Sequence, residues 1–560
     1  MTKQEHNEAK QRTTGPDDRM PSASPKPNGV DNSIKRRSPR IAKQVPIKSD
    51  ALSSSFQSRV PSSSTEQDAE HSKTKSPQRP LALRDSFIVY RSYWAIAFSI
   101  VAMTLFVIFP HDSTVQPDVS PGAWPKEITS DHCTVAYQGR PLVQYVIMMD
   151  AGSMGSRIHT YKFNYCNPTP ELESDTFGHV EPGLSSFDGD SEGAAKSLDN
   201  LLDLALKTVP KYLHSSTPIA LKATAGLRLL GEEKSNRILE AVRNRLATQY
   251  PFPIIKDRGV AVMDGADEGV YAWVTVNYLL DRFKSVKKKA TVAIMDLGGA
   301  STQVVFEPNV EDGHTLAPGE HRYLMNFNGN QYTLYQHSHL GYGLMMARSQ
   351  INNYVVENPI GDWHGVALGP NEYAHPCVPV GLRQDFTSES GKNVVLVGVS
   401  DPGDQCRTVV WAIFDKQRAC HLEPCSFNGV YQPTLHTAIE DDIYAFSFFF
   451  DLTAPFRLGS ETPHQEMTLE ELQHLTDRVC IGDENGFRDF HGSAEAMKQI
   501  HKSSDLCMDL SYIYGLLEYG YDVPKERKIK LAKKIQGYET GWCVGASFAV
   551  LEERNWFNAP

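Results

Sequence analysis

One design occurs twice in this chain. At 145–163, YVIMMDAGSMGSRIHTYKF carries an apolar run into Asp150, through a Gly/Ser turn and out into a second β-rich run. At 292–308, VAIMDLGGASTQVVFEP repeats the pattern around Asp296, 146 residues further on. β-Branched flanks and intervening glycines predict strand, turn and strand at both places. Gly152, Gly155, Gly298 and Gly299 let backbone N–H groups approach an anion with no Cβ in the way. Ser153, Ser156, Ser301 and Thr302 add hydroxyls at the same turns. An aspartate at a strand end suits a hydrated divalent cation, which takes carboxylate and water oxygens. One such turn is no more than an ordinary hairpin offers. Two predict an α/β chain of duplicated halves that clamp phosphate across a cleft.

Between the turns lie two further segments. Residues 218–230 (PIALKATAGLRLL) predict a strand, a small-residue turn at Thr224 and a helix start. Residues 260–280 (VAVMDGADEGVYAWVTVNYLL) predict a strand, an acidic turn and an amphipathic helix packing through Trp273, Val276 and Leu280. Asp264, Asp267 and Glu268 crowd that turn. Acids at a helix start are ordinary capping groups, and capping accounts for Asp267. It leaves an acidic cluster beside two phosphate turns, where like charges and partial burial tune a carboxylate as a base.

The rest of the chain is uneven. Residues 1–92 hold 17 Lys/Arg against 10 Asp/Glu, and the first 85 carry one aromatic, Phe56. Such a stretch buries too little apolar surface to offset its ordering entropy, so a disordered basic tail is expected over 1–91. No charge falls in 92–110, whose core YWAIAFSIVAMTLFVIF matches the short end of a membrane span. Arg79, Arg84 and Arg91 precede it while His111 and Asp112 follow, which leaves the N-terminus in the cytosol. All nine cysteines come after the span, as a disulfide-forming lumenal body requires. The odd count leaves at least one unpaired or paired between chains, and Cys543, in an apolar stretch, is the expected one. The basic run 35–40 (KRRSPR) beside a span reads as a solvated cytosolic arm rather than a nuclear signal. After residue 92 the balance is 39 basic to 57 acidic side chains, which argues against nucleic acid as a partner.

Five segments, DAGSMGSR (150–157), KATAGLRLL (222–230), MDGADEGVYAW (263–273), DLGGASTQ (296–303) and GWCVGAS (541–547), stand here in order. Together they resemble the signatures of the apyrase-type nucleoside phosphatases, the family of the ecto-nucleoside triphosphate diphosphohydrolases, over roughly 143–552. The single N-terminal span, the DEG form of the third segment and KKIQGYETGW (533–542) are most similar to its Golgi guanosine diphosphatases. The resemblance implies a two-lobed, actin-like, ribonuclease H-like fold: first lobe 141–300, second lobe 301–530, and a return to the cleft and first lobe over 531–560. A stem at 111–140 links it to the anchor at 92–110.

Residue roles follow from the same resemblance. Glu268 would be the base, with Ser301 and Gln303 positioning the attacking water. Asp150 and Asp296 would hold Ca²⁺, Mg²⁺ or Mn²⁺ through water, bordered by Thr224 and Trp542. Gly152, Ser153, Gly155, Ser156, Gly298, Gly299 and Ala300 would bind phosphate, with Arg157 as a neighbour. Met154 departs from the family's usual Thr. Tyr444, Phe448 or Phe449, in IYAFSFFFD (443–451), are the candidates to stack on the base, although such a run also suits a buried core. Cys480 with Cys507, and Cys377 with one of Cys406, Cys420 and Cys425, are the expected staples.

The function this implies is a lumenal nucleoside diphosphatase, anchored in the Golgi membrane by one helix as a single-pass type II protein. It would cleave GDP, and UDP as a second substrate, in support of protein glycosylation. The alternatives are a broad tri- and diphosphatase and a catalytically silent nucleotide-binding membrane protein; intact Glu268, Ser301 and Gln303 count against the silent one. Oligomeric state is left open.

Overall fold

The computed structural model describes residues 129–553, apart from 257, 285–286, 310–315, 360–367, 400–403, 457–464 and 483. The expected tail, the expected anchor and the stem up to 128 lie outside the described residues. Among those described, no helix is long and apolar enough to cross a membrane.

The described chain is a mixed α/β fold with several sheets, and two of them share one plan. The first contains β1 (Val143–Ala151), β2 (Ser156–Asn164), β3 (Glu171–Val180), β4 (Ile219–Ala223) and β5 (Val260–Val262), in the order β3-β2-β1-β4-β5. β1 runs antiparallel to β2 and parallel to β4. The second sheet contains β6 (Ala293–Leu297), β7 (Ser301–Phe306), β8 (Arg322–Phe327) and β9 (Asn330–Leu340). After a small sheet of β10 (Glu372–His375), β11 (Arg383–Thr387) and β12 (Asn393–Gly398), it is completed by β13 (Ile443–Ser447), β14 (Gln465–Thr468) and β15 (Lys528–Leu531). Its order is β14-β15-β13-β6-β7-β9-β8, with β6 antiparallel to β7 and parallel to β13. β6 is therefore the counterpart of β1, β7 of β2, and β13 of β4. The second sheet begins at Ala293, so a lobe boundary at 300/301 cuts through its β6–β7 hairpin.

The side-chain period of two sorts the central strands between cores. Ile147 and Met149 face an outer core with α1 (Asp199–Thr208), while α2 (Ala225–Leu230) and α3 (Glu232–Gln249) also cover that face. Val146 and Met148 face a middle core, which they share with Ile294, Tyr444 and Phe446 of the second sheet. Met295, Ile443 and Ala445 face the opposite outer core, with α5 (Leu344–Glu357), α6 (Asp404–Ala412), α8 (Leu469–Ile481) and α9 (Leu506–Gly515). Covered on both faces, β1 and β6 read as unbroken apolar runs.

The middle layer is made by α4 (Gly265–Leu279) and α10 (Cys543–Glu553). α4 was expected to be amphipathic; it is buried almost all round, because the middle core surrounds it. α10 crosses it closely: the Gly545 amide donates to Thr275 Oγ1 at 2.9 Å, and a Cβ on Gly545 would lie 2.1 Å from the Tyr271 carbonyl oxygen. Four disulfides, Cys133–Cys166, Cys377–Cys406, Cys420–Cys425 and Cys480–Cys507, leave buried Cys543 as the free thiol.

Candidate active site

Both predicted hairpins form, and they are built alike. Gly152 N–H donates to Gly155 O at 2.9 Å, and Gly298 N–H to Ser301 O at 3.0 Å. The turns meet across a cleft of about 390 Å³: a Cβ on Gly299 would sit 2.5 Å from Ser153 Oγ. The second turn is backed by α5, whose Leu344 and Met345 amides bond the Gly298 and Gly299 carbonyls. Gly343 permits this, since a Cβ there would come within 2.3 Å of Ala300 N. With those carbonyls engaged behind, the Gly299 and Ala300 amides have no hydrogen-bond partner among the described residues. The same holds for the amides of Ser153, Met154 and Gly155. Unpaired donors on opposed turns make an anion nest.

The strands bring their carboxyl ends to this cleft, where α/β sheets bind ligands. Asp150 near the end of β1, Thr224 after β4 and Asp296 near the end of β6 all line it, with Gly152, Ser156, Arg157 and Trp542. Arg157 Nη1 donates to Asp150 Oδ2 at 3.0 Å. Asp150 Oδ1 and Asp296 Oδ1 are both buried without a partner, as two carboxylates that share a hydrated cation would leave them. Among the described residues no set of three or more Asp, Glu, His and Cys closes on an ion. The residues present therefore fit a cation that completes its shell with water and phosphate oxygens. Burial pushes Asp296 up to about 6, against a hydrogen bond from Ser447; burial also raises Asp150, against the pull of Arg157.

Glu268 lies in the first turn of α4, whose cap is Asp264 accepting from Ala266 N–H at 2.7 Å. Its carboxyl is pushed up to about 8 by burial, opposed by Arg228 and reinforced by Asp296 and Asp150. Arg228 Nη2 donates to Glu268 Oε2 at 2.5 Å and approaches Ser301 Oγ at 3.4 Å. Gln303 Nε2 donates to Ser301 Oγ at 2.7 Å and Ser338 Oγ at 3.0 Å. With two donors on its oxygen, Ser301 keeps its own hydrogen for another acceptor. Ser301 and Gln303 are buried and outside the lining of the cleft, as is Ala300, whose side chain is buried.

Two of the three base-stacking candidates lie in the cores. Alternation along β13 turns Tyr444 into the middle core, with Lys530 Nζ 5.7 Å from its ring centre. Phe449 faces the outer core from α7 (Phe448–Thr453). Phe448 alone of the three lines the cleft.

Several residues here were not anticipated. Arg228 and Ser447 sit inside segments already singled out, yet nothing in their spacing marks them. Ser447 ends β13, the strand parallel to the Asp296 strand, at the register position that Ala223 holds beside β1, one residue before Thr224, and has a left-handed φ of 56°. His159, bonded to Asp175 at 2.8 Å, and Phe177, His179, Asp451 and Lys533 also line the cleft. A second hollow of about 520 Å³, beside the Cys420–Cys425 loop, holds none of the turn residues.

The sequence model of the GDA1/CD39 (nucleoside phosphatase) family matches residues 140–559. The guanosine-diphosphatase of Schizosaccharomyces pombe is 44% identical over 455 residues, 79% of this chain and 81% of that one. That of Saccharomyces cerevisiae is 44% identical over 444 residues, 77% of this chain and 83% of its own. Ectonucleoside triphosphate diphosphohydrolase 5 of Gallus gallus is 34% identical over 420 residues, 73% and 87% of the two chains. Among solved structures, a nucleoside triphosphate hydrolase from Neospora caninum shares the fold, with a TM-score of 0.52 at 14% identity over 74% of this chain and 94% of that one.

Proposed function

The chain belongs to the GDA1/CD39 (nucleoside phosphatase) family and is a phosphoanhydride hydrolase, and from that premise we propose that it hydrolyses GDP, with UDP as a second substrate, to the monophosphate and phosphate. The observation that carries the reading is a buried Glu268 beside two opposed turns in which the Ser153, Met154, Gly155, Gly299 and Ala300 amides have no partner among the described residues. The curated relatives named guanosine-diphosphatase support the choice of base. The like-connected sheets support an actin-like, ribonuclease H-like ancestry in two lobes.

The terminal phosphate lies between the turns, its oxygens taken by the amides of Ser153, Met154, Gly155, Gly299 and Ala300 and by the Ser153 hydroxyl. Asp150 and Asp296, with Thr224 and Trp542 nearby in the cleft lining, would hold a divalent cation. When bound, such a cation neutralises developing charge on the phosphoryl oxygens. Glu268 takes the proton of the attacking water as the new P–O bond forms on the terminal phosphorus. The bond to the bridging oxygen breaks, and the monophosphate leaves. Ser301 orients that water and Gln303 orients Ser301. Arg228 holds the Glu268 carboxylate in place.

The reading extends to location. The uncharged apolar run at 92–110 with arginines before it, and eight disulfide-bonded cysteines after it, support a type II protein with its catalytic body in the Golgi lumen. There, removing a glycosyltransferase by-product supports protein glycosylation.

The test is phosphate release by the purified full chain from GDP, UDP, ADP, IDP, GTP and ATP, each with Ca²⁺, Mg²⁺ and Mn²⁺. The expected result is cation-dependent cleavage of GDP ahead of the other diphosphates and of GTP. Failure to cleave any diphosphate sinks the reading, and equal cleavage of triphosphates replaces it with the broad one.

A further inference from the structure

The outer part of the cleft holds a group that the phosphate chemistry does not use. α7 presents Phe448 and Asp451 one turn apart, so the two side chains lie on the same helix face. Both line the cleft, and so does Lys533, from the segment between β15 and the hairpin at 534–539. Lys533 Nζ donates to Asp451 Oδ1 at 3.2 Å, and the Lys533 carbonyl accepts from the Thr540 amide and hydroxyl, each at 3.2 Å. Asp451 Oδ2 has no hydrogen-bond partner among the described residues. The two side chains are 47% and 53% exposed. As a surface ion pair they would contribute little to stability; their place beside a cleft-lining aromatic ring suits recognition better.

The order of polar atoms is specific. From Lys533 Nζ through Asp451 Oδ1 to Oδ2 the pair presents donor, acceptor, acceptor. The pairing edge of guanine presents the complement: the O6 acceptor, the N1–H donor and the N2–H donor. Uracil ends on a carbonyl where the second donor is needed. Adenine opens on a donor facing the ammonium and follows with a lone pair facing the carboxylate. Hypoxanthine matches the first two places and lacks the third.

Resting on the diphosphatase reading above, we propose that Asp451 and Lys533 read the guanine edge of the substrate while Phe448 stacks on the base. Each mismatched nucleobase leaves a charged hydrogen-bonding group unpaired, which is how a site rejects an analogue more strongly than by shape.

The experiment measures kcat/KM for GDP and IDP with the full-length wild type, Asp451→Asn and Lys533→Met, with melting temperatures to confirm that each variant folds. Wild type is expected to favour GDP over IDP. Asp451→Asn is expected to lose about 10- to 100-fold on GDP, the range for a hydrogen bond to a charged group, mostly through KM. Its GDP:IDP ratio then falls towards one. Lys533→Met is expected to weaken GDP and IDP alike, since both carry O6. A folded Asp451→Asn that keeps the wild-type ratio overturns the assignment while leaving the diphosphatase reading intact. A wild type that cleaves other diphosphates but not GDP overturns both.

Discussion

A carboxyl that is 10% exposed, paired with one guanidinium and facing two more carboxylates, is held closer to protonation than a free one. As the proposed base, Glu268 would work only ionised, so turnover is expected to rise with pH through its pKa, and any nearby positive charge moves that limb to lower pH. Arg228→Gln removes such a charge, and the acid limb of kcat/KM is expected to move to higher pH; an unmoved limb would detach Arg228 from the base. Glu268→Gln is expected to cut kcat by about 10²- to 10⁴-fold, the usual share of general base catalysis, with nucleotide binding by calorimetry retained. The proposed cation has its own readout. Asp296, raised to about 6, must ionise to hold it, so added Mg²⁺ or Ca²⁺ should raise the melting temperature more at pH 7 than at pH 5. Asp296→Asn should abolish the increment. Met154 is 43% exposed at the tip of its turn and is placed to contribute its amide, so Met154→Thr is expected to leave kcat/KM nearly unchanged.

At the scale of elements, the crossing of α4 and α10 concentrates the risk. Gly545→Ala puts a methyl against the Tyr271 carbonyl, and the helices must part to admit it. Because α4 carries Glu268, the expected outcome is a loss of activity larger than the loss of stability, separable by comparing turnover with urea unfolding. Trp273→Ala, in the same layer but fully buried, is expected to cost about 3–5 kcal/mol. These elements also show what the chain discloses in advance. The hairpins around Asp150 and Asp296, the strand before Thr224 and the helix after Asp264 were legible, because backbone chemistry forces glycine, a cap and an apolar run into local spacing. Arg228, Ser338, Ser447 and Lys533 were not, because each earns its place through a partner far along the chain. Burial of α4 on all sides was hidden for a related reason: its Thr275 and Asn277 read as polar, yet both are buried and hydrogen-bonded within the layer. The burial of Tyr444 and Phe449 was equally hidden, since an aromatic run looks the same whether it faces a ligand or a core.

Over the whole molecule, two disulfides staple the helical side of the second sheet, Cys377–Cys406 and Cys480–Cys507, closing loops of 29 and 27 residues. Replacing either pair by serines is expected to cost about 3.6 kcal/mol by loop entropy, measured by urea unfolding of each double variant. The duplicated sheets explain how a body with 39 basic against 57 acidic side chains holds a polyanion: opposed turns supply amide dipoles from both sides, and the surrounding charge need not help. The placement of α10 has a consequence for biosynthesis. α4 leaves the ribosome roughly 260 residues before the helix that covers it, an interval on the order of 15–50 s at ordinary elongation rates. Through that interval the first sheet is translated with one apolar flank open, the kind of transiently exposed surface that makes a folding intermediate prone to aggregate. A nascent chain interrupted before Cys543 stays in that state, so production of a working cleft is checked by the arrival of the far end of the message.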